Sequence, residues 1–224
     1  MGSSYSINGD ISGRAVAIGD GARAGDERQV GESRLRRSRR PPSSRVFVVH
    51  GRDLLAARAV FDLLRDLGLE PWEWEEGVAD LGQASPYSGD VVAHAVKLAR
   101  AAVVVLTPDD EVRLHPELWK PDEHGHETRF TGQPRPNVLI ELGMVLAAYP
   151  ERVVIAEFGA LRQVNDVNGR NVVRFGGDPG PAVTKVASRL ENAGCDVRRA
   201  PGWDRADRFT GLPAYRRTPQ PEGR

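Results

Sequence analysis

One carboxylate in this chain lacks an evident reason to be where it is. Glu141 is the single charge within Pro136-Asn137-Val138-Leu139-Ile140-Glu141-Leu142-Gly143-Met144-Val145-Leu146-Ala147-Ala148-Tyr149. An ionised carboxylate in apolar surroundings costs several kcal/mol unless something compensates it. Two accounts stand open. Near a helix N-terminus the macrodipole favours a negative charge by roughly 0.3–1 kcal/mol; alternatively, Glu141 is an active-site acid lining a pocket. Other residues with usable chemistry come in three clusters: His50-Gly51-Arg52-Asp53, the stretch from Glu76 to Ser88, and Thr107-Pro108-Asp109-Asp110. Arg135 and Asn137 stand just ahead of Glu141. An imidazole, guanidinia, carboxylates and an amide on one rim would suit a nucleotide or a sugar phosphate.

Competing chemistries find little support. No Gly-x-Gly-x-x-Gly or Walker-type loop is present, which disfavours the ordinary dinucleotide and P-loop modes. No Gly-x-Ser-x-Gly elbow occurs, and Cys195 has no histidine near it in sequence, so nucleophilic hydrolysis lacks a candidate. The patch Asp122-Glu123-His124-Gly125-His126-Glu127, with His115 upstream, has hard-metal ligands but not the His-Glu-x-x-His spacing. It reads as a solvated acidic loop, and no metal or resident cofactor is expected.

The elements that must position these residues follow from periodicity. Val46-Phe47-Val48-Val49 is a continuous apolar run suited to a strand buried on both faces. Asp53 is placed to cap a helix from Leu54 to Leu67, which Gly68 ends. Leu69 to Glu75 reads as a second strand with Trp72 and Trp74 on one face, followed by a loop from Glu76 to Ser88 and a helix from Gly89 to Ala101. Ala102 to Thr107 is the third strand. The stretch from Pro108 to Pro134 has no periodicity, and loops of that length are functional or disordered. The helix from Pro136 then precedes a strand at Arg152 to Glu157, a short strand at Asn171 to Arg174, and a helix from Pro179 to Ala193. Alternating strands and helices predict a three-layer α/β domain with a parallel sheet over residues 45–200. In such sheets ligands sit outside the carboxyl ends of the strands, where all three polar clusters fall.

Outside that domain, residues 1–24 repeat Ile-x-Gly irregularly (Ile7-Asn8-Gly9, Ile11-Ser12-Gly13, Ile18-Gly19). This is either a glycine-rich tail or, by stacking on copies of itself, a self-assembly motif. Residues 25–44 are an arginine-rich linker closing on Pro41-Pro42, and residues 201–224 read as a basic tail over the surface. The 31 acidic and 31 basic residues cancel, so no global field argues for nucleic acid as a partner. A single cysteine excludes an internal disulfide framework and fits a reducing cytosol. No run approaches the roughly 20 apolar residues of a membrane span. A cytoplasmic protein is expected.

Val46-Phe47-Val48-Val49-His50-Gly51-Arg52-Asp53, Val103-Val104-Val105-Leu106-Thr107-Pro108-Asp109-Asp110 and Arg135-Pro136-Asn137-Val138-Leu139-Ile140-Glu141-Leu142-Gly143 together resemble the TIR-like domains of bacterial anti-phage effectors, found beside cyclic-nucleotide-sensing or STING-like modules. The resemblance covers about residues 45–177. It implies a flavodoxin-like TIR fold and an NAD hydrolase that cleaves the nicotinamide–ribose bond, with NAD as substrate and not as cofactor. Glu141 would then be the catalytic glutamate, and His50, Gly51 and Arg52 would belong to the nucleotide site. Asn137 would orient Glu141 or bind ribose, or else cap its helix; Asp109 and Asp110 would contact ribose or cap the following turn. The resemblance also implies activation by homo-oligomer or filament formation, with the loop from Glu76 to Ser88 in the assembly contact, and an upstream sensor or cyclic-nucleotide signal. A non-catalytic TIR-like adaptor that binds a nucleotide or signals by homotypic contact is the alternative.

Overall fold

The computed structural model describes residues 44–217 apart from 84, 123 and 165–168. The glycine-rich repeat, all but the last residue of the linker, and the final seven residues lie outside the described residues. Five strands form one parallel sheet: β1 (Arg45–His50), β2 (Glu70–Trp72), β3 (Ala101–Leu106), β6 (Val153–Phe158) and β7 (Val173–Phe175), in the order β2-β1-β3-β6-β7. Between β3 and β6 a separate antiparallel pair, β4 (Asp110–Val112) and β5 (Thr131–Gln133), is inserted. The order reverses between β1 and β3, which pair in register Val48↔Val103 and His50↔Val105. That reversal is the doubly-wound arrangement of a flavodoxin-like fold and opens a crevice at the carboxyl ends of β1 and β3.

Period-two alternation divides the core between the two sheet faces. Val46 and Val48 pack with Val103 and Val105 under α1 (Leu54–Asp66) and α6 (Gly180–Asn192). Phe47 and Val49 pack with Val104 and Leu106 under α3 (Ser88–Leu98) and α5 (Pro136–Ala148). As the sequence predicts, Asp53 caps α1, its carboxylate accepting from the N–H groups of Leu55 and Ala56 at 3.1 and 3.0 Å. Cys195 is free and buried in the core, and burial raises its thiol to about 11.

Three expectations need correction. The second strand stops at Trp72, and a helix, α2 (Trp74–Leu81), replaces the end of that strand and the start of the expected loop. Glu73 and Glu76 form a capping box there, so a helix start prevails over the alternation of Trp72 and Trp74. Within the stretch from Pro108 to Pro134 the described residues are organised around the β4–β5 pair, with Arg162 N–H donating to the carbonyl of Gly132 at 2.8 Å. Finally, the segment after Asp196 does not stray over the surface. Phe209, Leu212 and Ala214 are buried against the α1–α6 face, and Phe209 stacks with Phe158 and packs at a tilt against Phe175. Sparse apolar residues in a basic context hide a core contribution that short 3₁₀ turns deliver.

Candidate active site

The loops after β1 and β3 are stapled to each other. Asp109 accepts the backbone N–H of Arg52 on Oδ2 at 2.8 Å and the Thr107 hydroxyl on Oδ1 at 2.8 Å. Gly51 makes this approach possible, because a Cβ there would fall 1.9 Å from Asp109 Oδ2. Gly51→Ala should therefore displace a carboxylate held from two sides, lowering stability by about 1–3 kcal/mol. Denaturant melts of the wild type and the variant check this.

Arg217 completes the staple. Its Nη1 lies 2.8 Å from Asp53 Oδ2 and 3.7 Å from Asp109 Oδ1. Both acid side chains are almost wholly buried, 2% and 4% exposed, whereas the arginine is 40% exposed. Nothing in the sequence pairs Arg217 with either aspartate. The only available signal was the apolar spacing of Phe209, Leu212 and Ala214, which ties the segment carrying it to the core.

The other sequence-selected residues fall around this staple. His50 ends β1, its ring edge-on to Phe61 at 5.9 Å and its Nδ1 2.9 Å from the carbonyl of Gly51. The side chain of Arg52 is exposed at the rim. Asp110, the first residue of β4, pairs with Arg135 at 3.2 Å. Arg135 and not Asn137 is the N-cap of α5, without a side-chain cap bond, and Asn137 sits exposed in the first helical turn. The capping role for Asn137 is thereby removed, since its place is inside the helix. The Asp109 carboxylate likewise caps no following turn and bridges back to the loop after β1.

Glu141 lies in the second turn of α5. The helix seats Val138, Leu142 and Val145 on the face of β1 and β3, so Glu141 flanks a buried stripe. One turn later on the same flank, Met144 reaches the start of α3, where a Cβ on Gly89 would be 3.5 Å from its Cε. Glu141 thus borders the gap between α5 and the first turn of α3. It has no hydrogen-bond or ion-pair partner among the described residues, and desolvation raises its carboxyl from 4.5 to about 7. Paired carboxylates move down; this one is pushed up because burial goes uncompensated. On the other flank of α5, a cavity of about 300 Å³ opens at the carboxyl ends of β3 and β6, with Leu142 in its wall and an ion pair between Glu157 and Arg174 at 3.4 Å.

The acidic patch in the insertion is otherwise engaged: the rings of His124 and His126 stack at 5.4 Å, and Glu127 pairs with Arg162. Among the described residues no group of three or more histidine, cysteine or acidic side chains is arranged to hold a metal ion, and no helix is long and apolar enough to cross a membrane.

Comparison with known proteins agrees with this architecture. A family model described as "CAP12/Pycsar effector protein, TIR domain" matches residues 45–177, more than half of the chain. The match runs from β1 past β7 and includes every sequence-selected site residue; α6 and Arg217 lie beyond it. No curated protein matches the chain.

Proposed function

From the premise that this chain belongs to the CAP12/Pycsar effector TIR-domain family, we propose that it hydrolyses NAD+ at the nicotinamide–ribose bond, as an anti-phage effector that works when clustered. The observation that carries this reading is Glu141: a carboxyl with no partner among the described residues, raised to about 7 by burial, on the helix whose Val138 and Leu142 pack against β1 and β3. Strongly perturbed groups in such places mark functional sites, because stability alone gives no reason to bury an uncompensated acid.

The chemistry needs one carboxylate. Nicotinamide leaves a pyridinium as a neutral molecule, so no general acid must protonate it, in contrast to an ordinary glycoside. The C1′–N bond breaks with its electron pair going to nicotinamide, water adds at C1′, and the released proton passes to solvent. Glu141 accepts hydrogen bonds from the ribose hydroxyls and stabilises the positive charge developing at the anomeric carbon. Arg52 and the loop from His50 face the diphosphate, and Asn137, a turn ahead of Glu141, faces a ribose. Asp109 and Asp110 act by holding loops: the first joins the loops after β1 and β3, and the second holds Arg135 at the head of α5. In this reading the substrate is cytoplasmic NAD, clustering follows an upstream cyclic-nucleotide signal, and the contact that clusters the chains involves α2 and the segment leading to α3.

The test is NAD consumption by the full-length chain fused to an oligomerising scaffold. Stoichiometric nicotinamide release by the clustered protein, absent in clustered Glu141→Ala, is expected. If both proteins are inactive when clustered, the hydrolase reading fails and a nucleotide-binding adaptor replaces it. Base exchange without net NAD loss would instead indicate glycosyl transfer.

A further inference from the structure

At the pole opposite the candidate active site, where the strands begin, three guanidinium groups converge on one cavity. It has a volume of about 290 Å³ and lies between the start of β6, the end of α6 and the segment before β7. Arg152, Arg170 and Arg189 line it, together with Glu151, Asn171 and Asn192, over a floor made by the first residues of β6. Each arginine is oriented by a backbone carbonyl. Arg152 donates to Arg100 O at 3.4 Å and lies 3.6 Å over the Tyr149 ring, Arg170 donates to Pro150 O at 3.0 Å, and Arg189 donates to Asn171 O. None of the three pairs with a carboxylate among the described residues.

Helix ends explain part of this charge. α5 and α6 both finish here, and each C-terminus presents about half a negative charge. Two helix ends and Glu151 together offset about two of the three positive charges, leaving about one uncompensated. Arg170, moreover, belongs to no helix. Burial lowers the Arg189 pKa, as expected for a cation without a counter-charge. Since a guanidinium offers five donors in a fixed fork and each of these spends only one or two on a carbonyl, most of their capacity remains for a planar or tetrahedral oxyanion.

We infer that this cavity is a binding site for a small phosphate ester of about mononucleotide size, at the opposite end of the strands from the loops after β1 and β3. The arginines take the phosphate. The amides of Asn171 and Asn192 have the donor and acceptor pair that a base edge or sugar hydroxyl requires, and the apolar floor covers a ring. A volume near 300 Å³ sits at the lower end of small-molecule sites and exceeds what inorganic phosphate alone would fill.

The test is calorimetric titration of the full-length protein with inorganic phosphate, a 5′-mononucleotide and a 3′,5′-cyclic mononucleotide at fixed ionic strength. At least one ester should bind about tenfold or more tightly than inorganic phosphate, and Arg170→Gln or Arg189→Gln should each weaken it by about tenfold or more. The identity of the tighter ester tells a monoester ligand from a diester one. Arg170 is exposed, so its replacement tests binding without endangering the fold, and Arg58→Gln, an exposed guanidinium on α1, should leave the affinity unchanged. Esters that bind no better than inorganic phosphate, or binding lost in Arg58→Gln but kept in Arg170→Gln and Arg189→Gln, overturn the inference. All these outcomes are independent of whether NAD is cleaved.

Discussion

Glu141→Gln is expected to slow nicotinamide release by about 10²-fold or more while making the protein more stable at pH 8. The two effects share one cause. In the folded chain the carboxyl titrates at about 7, against an ordinary 4.5, because burial disfavours its charged form. Below about 4.5 the group is neutral in both the folded and unfolded states and costs nothing. As pH rises from there towards 7 the unfolded state releases its proton first, and the folded state loses stability. That span corresponds to at most about 3 kcal/mol, and solvent at the part-exposed carboxyl brings it to about 1–2 kcal/mol. Glutamine is neutral throughout, so it should recover this amount at pH 8, a rise of about 2–8 °C in Tm, with no gain near pH 4. The sign separates the two accounts of Glu141 that the sequence leaves open. A residue kept for the helix dipole would lose about 0.3–1 kcal/mol on conversion to glutamine.

The catalytic half of the expectation has its own pH signature. If the ionised carboxylate stabilises the developing cation, kcat/KM of the clustered wild type should fall about tenfold per pH step below 7 and level off above it. Glu141→Gln should lower the plateau by about 10²–10³ or more, the usual cost of removing a preorganised electrostatic group. A flat profile from pH 5.5 to 8 would detach the reaction from Glu141. Thermal melts at pH 4 and 8, together with a pH–rate series, are sufficient to decide.

How much of this was legible beforehand depends on how local the cause is. Val46 to Val49 and Ala102 to Leu106 are apolar runs whose burial on both sheet faces follows from composition alone, and the Asp53 cap needs only the three residues after it. Glu141 stood out because its sequence neighbours are its spatial neighbours on α5. Glu73 to Glu76 carried two local signals, strand alternation and a capping box, and the box prevailed once Trp72 had packed edge-on to Phe47 at 6.0 Å. Arg217, by contrast, acts on Asp53 and Asp109, more than a hundred residues earlier in the chain. No periodicity encodes such a contact. The insertion from Pro108 to Pro134 was opaque for the same reason: its strands are three residues each, and their pairing, Asp110↔Gln133 and Val112↔Thr131, spans the whole insertion.

Arg217→Ala is therefore the change expected to cost most away from the reacting atoms. Asp53 and Asp109 are both nearly inaccessible, and Arg217 is the cation between them. Their remaining donors are the N–H groups of Leu55 and Ala56 for one, and the Thr107 hydroxyl and the Arg52 N–H for the other. Those donors solvate each carboxylate but do not neutralise the pair, so deleting the arginine leaves two buried negative charges on neighbouring loops. Breaking a buried pair typically costs about 3–5 kcal/mol; because Arg217 is itself partly solvated, about 2–3 kcal/mol is expected. Asp53 also starts α1 and Asp109 holds the loop after β1, so the strain falls on the rim of the crevice. KM for NAD should accordingly rise more than kcat falls, which a loss of folded protein alone would not produce. Asp53→Asn in the Arg217→Ala background should recover part of the stability, since one of the two stranded charges is gone. A double-mutant cycle should give a coupling of about 1–3 kcal/mol between these positions, and a coupling near zero would mean that Arg217 is only a surface contact.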